Sequence, residues 1–494
     1  MGGFHVKNFG CRAARADGEA VGDRLRCEGM SEEAPSAADV VVVNTCSVTA
    51  EADREARAYI RRTHRLNPAA KIVVTGCYAQ RAPAELTALA GVAAVVGNSH
   101  KGLAPGVVLR LAASSEPTPP AASQSAIAPA EAPSFQSPAF LSLASVLNAS
   151  PGKAAVLVDD RFAHSFLEEA QLTPGAQTRP NLKIQEGCGN RCTFCVIPQT
   201  RGSSRSLAAE TALRQVEGFV AAGGHELVLS GINLGRWGRD LAKTAPQASN
   251  RFSLASLVRQ IFAETGLARL RLSSIEPMDW DAEMIALMAE FARPASSPAR
   301  LARHAHLPLQ SGSDGVLRRM HRRYRPWHYV EKVEALVRAA GPELTLGADV
   351  MAGFPGETDA EFEETLALIR ALPLGYLHLF PFSPRPGTPG WALHREHPVP
   401  TVVVEARMAA LRTLAAEKSS AHRNKAVGAQ LEAITMHTPA ELAARGRTAA
   451  LTENFLPVEL RGSLPANQLV RVHVTAAVPN PEGGCDLESE LAAT

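Results

Sequence analysis

Along residues 1–105 short apolar runs alternate with longer mixed segments, and one unit recurs three times. The runs at 4–9, 40–44 and 71–75 each end in a short turn. A cysteine follows (Cys11, Cys46 and Cys77), and helix-like sequence comes next. A weaker run at 92–96 follows the third helical segment. Alternation of this kind predicts a parallel sheet, because parallel strands need a crossover segment between them. From about 176 to 400 a second series offers six strand candidates, at 182–186, 226–230, 269–273, 305–308, 344–349 and 376–380, all but the last followed by helix-like sequence. Six β/α units predict a barrel or partial barrel with its chemistry at the C-terminal strand ends. Four short β-like runs at 430–435, 447–451, 455–460 and 469–474 then predict a small antiparallel barrel or sandwich.

The expected fold class is therefore α/β. It comprises a Rossmann-like parallel domain over 1–105, a partial (β/α)6 barrel over 174–405 and a small C-terminal β-barrel over 424–478. Residues 106–152 are expected to be a linker or insertion, since Ala, Ser and Pro dominate from 112 onward and bury too little apolar surface to offset chain entropy. The segment 156–158 is a candidate strand rejoining a fold, and 479–494 is expected to be a flexible tail.

A chain of 494 residues, 46% of them hydrophobic, suits several ordinary globular cores. Formal net charge is +2, so any nucleic-acid contact must come from local basic patches. No apolar h-region opens the chain and no apolar stretch is long enough to cross a bilayer, so a cytoplasmic protein without a membrane partner is expected. In that reducing setting the eight cysteines read as metal ligands or reactive thiols.

Cys188, Cys192 and Cys195 form C-x3-C-x2-C directly after the strand candidate 182–186. So tight a loop presents three thiolates to one iron–sulfur cluster and leaves one iron without a protein ligand. A zinc site completed by a distant histidine is the competing reading. Phe194 and the position after the first of six β/α units resemble the radical S-adenosylmethionine superfamily. Cys11, Cys46 and Cys77 each follow a predicted parallel strand, and parallel strands end on one sheet edge, where α/β folds bind ligands. A second three-thiol cluster site is expected there, against the alternative that buried cysteines fill strand ends. Cys27 is assigned to helix packing and Cys485 to the mobile tail.

Together Val6-Lys7-Asn8-Phe9-Gly10-Cys11, Asn44-Thr45-Cys46-Ser47-Val48-Thr49, Gly76-Cys77-Tyr78-Ala79-Gln80 and the stretch 185–201 resemble the methylthiotransferase family of radical S-adenosylmethionine enzymes. The threonylcarbamoyladenosine tRNA subgroup is the nearest, on Leu229-Ser230-Gly231-Ile232-Asn233-Leu234-Gly235, Arg271-Leu272-Ser273-Ser274-Ile275-Glu276-Pro277, Gln310-Ser311-Gly312-Ser313-Asp314 and Met320-His321-Arg322-Arg323-Tyr324. The resemblance implies two 4Fe–4S clusters, one on each cysteine triad, with S-adenosylmethionine used both as methyl donor and as radical source. It implies methylthiolation at carbon 2 of a modified adenosine beside the anticodon of tRNA, with an electron donor and a sulfur source outside the chain. Isopentenyladenosine tRNA or a ribosomal-protein aspartate are alternative acceptors, and a zinc-containing RNA-binding protein is the non-enzymatic alternative. The family often has an asparagine where this chain has Ala14.

The same resemblance places Ser230 and Gly231, at the end of the second barrel strand, near the cofactor; Ser273, Ser274 and Glu276, at the end of the third, are candidate cofactor contacts and Asp349 ends the fifth, with ordinary strand caps as the alternative for all of them. The C-terminal β module resembles the TRAM domain, an RNA-binding barrel, through Gly446-Arg447-Thr448 and Thr452-Glu453-Asn454-Phe455. Its basic residues Arg423, Lys425, Arg445, Arg447, Arg461 and Arg471 are sparse. A denser run from Arg318 to Arg325, with Trp327 behind it, is a candidate contact for an RNA loop, against the alternative of an exposed helix end.

Overall fold

The computed structural model describes residues 2–113, 154–162, 172, 179–244, 252–292, 300–480 and 485–492. Two compact units share them: Met1–Glu168 with Gln199–Arg201, and Glu169–Pro198 with Gly202–Thr494.

In the first unit six parallel strands lie in the order β2-β1-β3-β4-β5-β6. They are β1 (Gly3–Asn8), β2 (Ser31–Glu32), β3 (Val40–Thr45), β4 (Lys71–Gly76), β5 (Val92–Gly97) and β6 (Ala155–Leu157). The unbroken run Val40-Val41-Val42-Val43 is fully buried because both sheet faces are covered. Val41, Val43, Ile72 and Val74 pack with Ala56 and Ile60 of the helix Ala50–Leu66. Val40, Val42, Val73 and Val96 pack on the other face with Val21, Leu25, Val107 and Val108. The helix Ala50–Leu66 starts where the Thr49 side chain accepts from the Ala52 amide at 3.2 Å, with Glu51 and Asp53 in its first turn.

Two expected boundaries move. The helix Ala104–Ala113 buries Val107 and Val108 in the sheet core, so the first fold runs past 105, and β6 joins it as a sixth strand. Most of the Ala/Ser/Pro-rich linker, 114–152, lies outside the described residues.

In the second unit β7 (Asn181–Glu186), β8 (Arg205–Ser206), β9 (Glu226–Gly231) and β10 (Arg269–Leu272) form a sheet ordered β10-β9-β7-β8. The strands β11 (His304–His306), β12 (Thr345–Ala352) and β13 (Leu374–Pro381) form another. A parallel bridge from Leu270 to Leu301 links the two, giving an open arc of six parallel strands with the antiparallel β8 at its edge.

A closed barrel follows, ordered β14-β15-β16-β18-β17. Its strands are β14 (Gln430–Thr435), β15 (Arg447–Thr452), β16 (Pro457–Arg461), β17 (Leu469–Pro479) and β18 (Cys485–Leu491). The expectation of a frayed tail fails here. Cys485 and Leu487 are buried, and β18 closes the barrel by pairing with both β16 and β17. Cys27, expected to pack, is exposed at the end of the helix Arg12–Cys27.

The small barrel docks on the N-terminal ends of the arc. Arg269 pairs with Glu432 at 2.7 Å, Arg271 donates to the Thr452 carbonyl at 3.1 Å, and Arg303 pairs with Glu453. Phe455 lies against His304, ring centres 4.3 Å apart. Beneath this contact the fully buried Glu226 meets Arg271 at 3.1 Å, Arg269 at 3.4 Å and Arg179 at 3.6 Å. Burial alone pushes that carboxyl up, but the three guanidiniums outweigh it and hold it below its ordinary value. Its contribution to stability is complete above the ordinary carboxylate range and is lost as pH falls through the lowered value.

Glu226→Gln removes the buried negative charge that three guanidiniums share and is expected to destabilise the second unit by about 3 kcal/mol. All four tryptophans lie in that unit, so the urea midpoint read by their fluorescence should fall; an unchanged midpoint contradicts the coupling.

Candidate functional site

In the first unit the strands release the chain at one edge, and there the three cysteines gather. Cys46 follows β3 directly, Cys77 follows β4, and Cys11 is the N-cap of the helix Arg12–Cys27. Two glycines make room. A Cβ at Gly10 would lie 2.9 Å from the Cys46 sulfur, and one at Gly76 would lie 2.3 Å from the Thr45 carbonyl oxygen; both have positive φ. Cys77 Sγ faces two donors, Arg201 Nε at 3.3 Å and Asn98 Nδ2 at 3.4 Å. Arg201 is fully buried and is held by Asp17 at 2.9 Å. Asn98 also donates to the Thr200 carbonyl at 2.9 Å. Where the family often has an asparagine, the Ala14 carbonyl accepts from Asn44 Nδ2 at 2.5 Å, and Asn44 also reaches Asn8 at 2.9 Å.

The second triad occupies the loop after β7. Cys188 Sγ accepts from the Asn190 amide at 3.4 Å and from Asn233 Nδ2 at 3.5 Å. Cys192 Sγ accepts from Arg322 Nη1 at 3.2 Å, while Arg322 Nη2 binds Glu276 at 2.5 Å. Local geometry aims Arg322 inward. The helix Asp314–Arg319 ends with His321 at φ 53°. The His321 amide returns to the Arg318 carbonyl and the Arg322 amide to the Leu317 carbonyl, both at 2.9 Å, a Schellman stop.

This overturns part of the expected RNA patch. Arg322 and Tyr324 are buried, Arg318 and Arg325 pair with Asp314, Arg319 forks onto Glu361, and Arg323 pairs with Asp279. The run is a paired, partly buried network rather than a free basic surface. Trp327 does stand exposed, at 51%. In the small barrel Arg445 pairs with Glu459 and Arg447 with Glu488.

Burial dominates the thiols. It pushes Cys46 up to about 12, with the charges of Cys77 and Cys11 adding to the rise. It pushes Cys195 up to about 12 as well, with Cys192 and Cys188 adding, and it raises Cys188. Buried thiols of this kind would be inert packing were they alone. Convergence in threes, with guanidinium and amide donors aimed at sulfur, suits metal-bound thiolate instead.

Matches to known proteins agree with this arrangement. Residues 3–97 match Uncharacterized protein family UPF0004, and residues 182–369 match the Radical SAM superfamily. The chain is 31% identical to the threonylcarbamoyladenosine tRNA methylthiotransferase MtaB of Bacillus subtilis, over 97% of this chain and 95% of that protein. MtaB of Aquifex aeolicus is 31% identical over 94% and 98% of the two chains. The tRNA-2-methylthio-N(6)-dimethylallyladenosine synthase of Erythrobacter litoralis is 30% identical over 99% and 98%. The chain belongs to the methylthiotransferase family of radical S-adenosylmethionine enzymes.

A methylthiotransferase of this kind uses S-adenosylmethionine and 4Fe–4S clusters, and the residues present fit those groups. Each triad is all sulfur, with charged donors placed to offset thiolate. Near the second, Ser230 Oγ, Ser273 Oγ and Asn233 Oδ1 are buried without a hydrogen-bond partner, as suits a polar cofactor that supplies one. Ser230 and Gly231 end β9, Ser273 follows β10, and Glu276 holds Arg322. Asp349, expected at a strand end, instead lies mid-strand in β12 between His306 and His378. The donors Arg201, Asn98, Arg322 and Asn233 were not singled out from sequence. Arg201 closes the second cysteine motif, which was a usable signal; Arg322 was hidden in a run of similar charges.

In cluster-free protein, alkylation at pH 8 followed by peptide mass spectrometry should modify exposed Cys27 at least about a hundredfold faster than Cys46 or Cys195, since reactivity follows thiolate fraction and access. Equal rates contradict the raised thiols of Cys46 and Cys195.

Proposed function

We propose that this methylthiotransferase converts N6-threonylcarbamoyladenosine next to the tRNA anticodon to its 2-methylthio derivative. The carrying observation is the near full-length match to threonylcarbamoyladenosine tRNA methylthiotransferases at 31% identity. The two cysteine triads at strand ends support it from within the chain. Dimethylallyladenosine is a second reading, because synthases acting on it match over similar lengths.

In this reading Cys11, Cys46 and Cys77 hold one cluster and Cys188, Cys192 and Cys195 the other, three ligands each. Bound there, clusters and S-adenosylmethionine supply single electrons, a carbon radical and a transferable methylthio group, chemistry that side chains lack at an aromatic C–H. The chain's own work is positional and electrostatic. Arg201 and Arg322 each bring a buried positive charge to one cysteine sulfur, and hydrogen bonds to cluster sulfur tune its potential. Asp17 and Glu276 fix those guanidiniums. Ser230, Gly231, Ser273 and Glu276 line the place for S-adenosylmethionine. The small C-terminal barrel, TRAM-like in its sequence, is the proposed tRNA contact. Among the described residues no helix is long and apolar enough to cross a membrane.

The triads are expected to divide the work. Cys192→Ala should abolish S-adenosylmethionine cleavage, whereas Cys46→Ala should spare cleavage and stop methylthio transfer; equal loss of cleavage in both contradicts the division. Nucleoside mass spectrometry of tRNA from a strain lacking the protein should lose 2-methylthio only from threonylcarbamoyladenosine. Loss from the dimethylallyl nucleoside instead selects the second reading, and an unchanged profile rejects both.

A further inference from the structure

Outside the loop that carries Cys188, Cys192 and Cys195, three neighbouring strands of the second unit bring two imidazoles and a carboxylate together. Asp349 and His378 are direct partners in the parallel pairing of β12 with β13. His306 pairs with Gly347, two positions before Asp349, and alternate residues of a strand share a face. His306 Nε2 and His378 Nδ1 each lie 3.3 Å from the same oxygen, Asp349 Oδ1. All three donor atoms fall within 4.8 Å of one another.

Three details go beyond an ion pair. First, His306 is almost fully buried, and its Nε2 makes no well-aligned hydrogen bond although Asp349 stands beside it. Second, the other nitrogen of that ring is occupied: Nδ1 lies 2.6 Å from Ser274 Oγ. Orientation of a ligating imidazole through its second nitrogen is the usual outer support of a metal site. Third, the two separations from Asp349 Oδ1, 3.3 Å each, match the edge of a tetrahedron with ligands at about 2.1 Å, roughly 3.4 Å.

We propose that His306 Nε2, Asp349 Oδ1 and His378 Nδ1 bind a divalent first-row transition cation. The donor set contains no sulfur, so it selects differently from the cysteine triads: two imidazoles and a carboxylate suit Mn2+, Fe2+ or Zn2+. The site opens on one side, with side-chain exposure rising from 5% at His306 through 22% at Asp349 to 62% at His378. Three protein ligands leave coordination positions facing that opening, free for water or an anionic oxygen. Tyr376 closes one flank, its ring centre 5.8 Å from His306 and 5.2 Å from His378.

Mn2+ is the probe, because it favours imidazole and carboxylate over thiolate and its free aquo ion has a sharp paramagnetic resonance signal. Cluster-loaded protein, kept anaerobic with oxidised clusters, is titrated with Mn2+ while the free signal is followed. One Mn2+ per chain should bind. His378→Ala and Asp349→Asn should each weaken binding at least about tenfold. His378 is the most exposed ligand, so its variant keeps the test decisive if Asp349→Asn does not fold. Unchanged iron content and visible absorbance in His378→Ala confirm that the clusters are in place. No binding by wild type up to about 1 mM Mn2+, or binding undiminished in His378→Ala, overturns the proposal.

Discussion

Parallel strands deliver their chain ends to a single edge, and both sulfur sites depend on that constraint. β3 and β4 run side by side in exact register from Val40–Lys71 to Thr45–Gly76, so the residues that follow, Cys46 and Cys77, emerge together. Cys11 joins them from β1, across Gly10, which has no side chain to intrude on Cys46. In the second unit β7 launches Cys188, Cys192 and Cys195 from the same kind of edge, beside the end of β9. Secondary structure thus does the gathering, and the loops need only be short.

Gathering thiolates concentrates negative charge in buried surroundings, which is unfavourable unless opposed. The two triads meet this in parallel ways: an arginine donates to one cysteine sulfur and is braced by a carboxylate, and an asparagine amide donates as well. In the first site the amide and the arginine share one sulfur; in the second they divide between Cys188 and Cys192.

The periodic elements could be read from the chain because hydrophobic runs and turn residues are local signals. All six strands of the arc stand within a few residues of the runs that announce them. What escaped notice was decided by distant partners. β18 looks polar and short, yet it closes a barrel because β16 and β17 both lack a neighbour without it. Arg322 looks like one more surface charge, and a left-handed turn at His321 carries it inside. His306, Asp349 and His378 lie far apart in sequence, and only strand register reveals that they share a face. The cysteine spacing, by contrast, carried its meaning in a single loop.

The docking of the small barrel at the start of the strand arc has a geometric corollary. The cysteine loop leaves from the other end of β7, and six residues at about 3.3 Å each separate the two by roughly 20 Å. The barrel contacts and the cysteine loop therefore stand at opposite poles of the arc, a full strand length apart. A change confined to the outer wall of the barrel is thereby separated, by the whole span of the arc, from the loop that carries Cys188, Cys192 and Cys195.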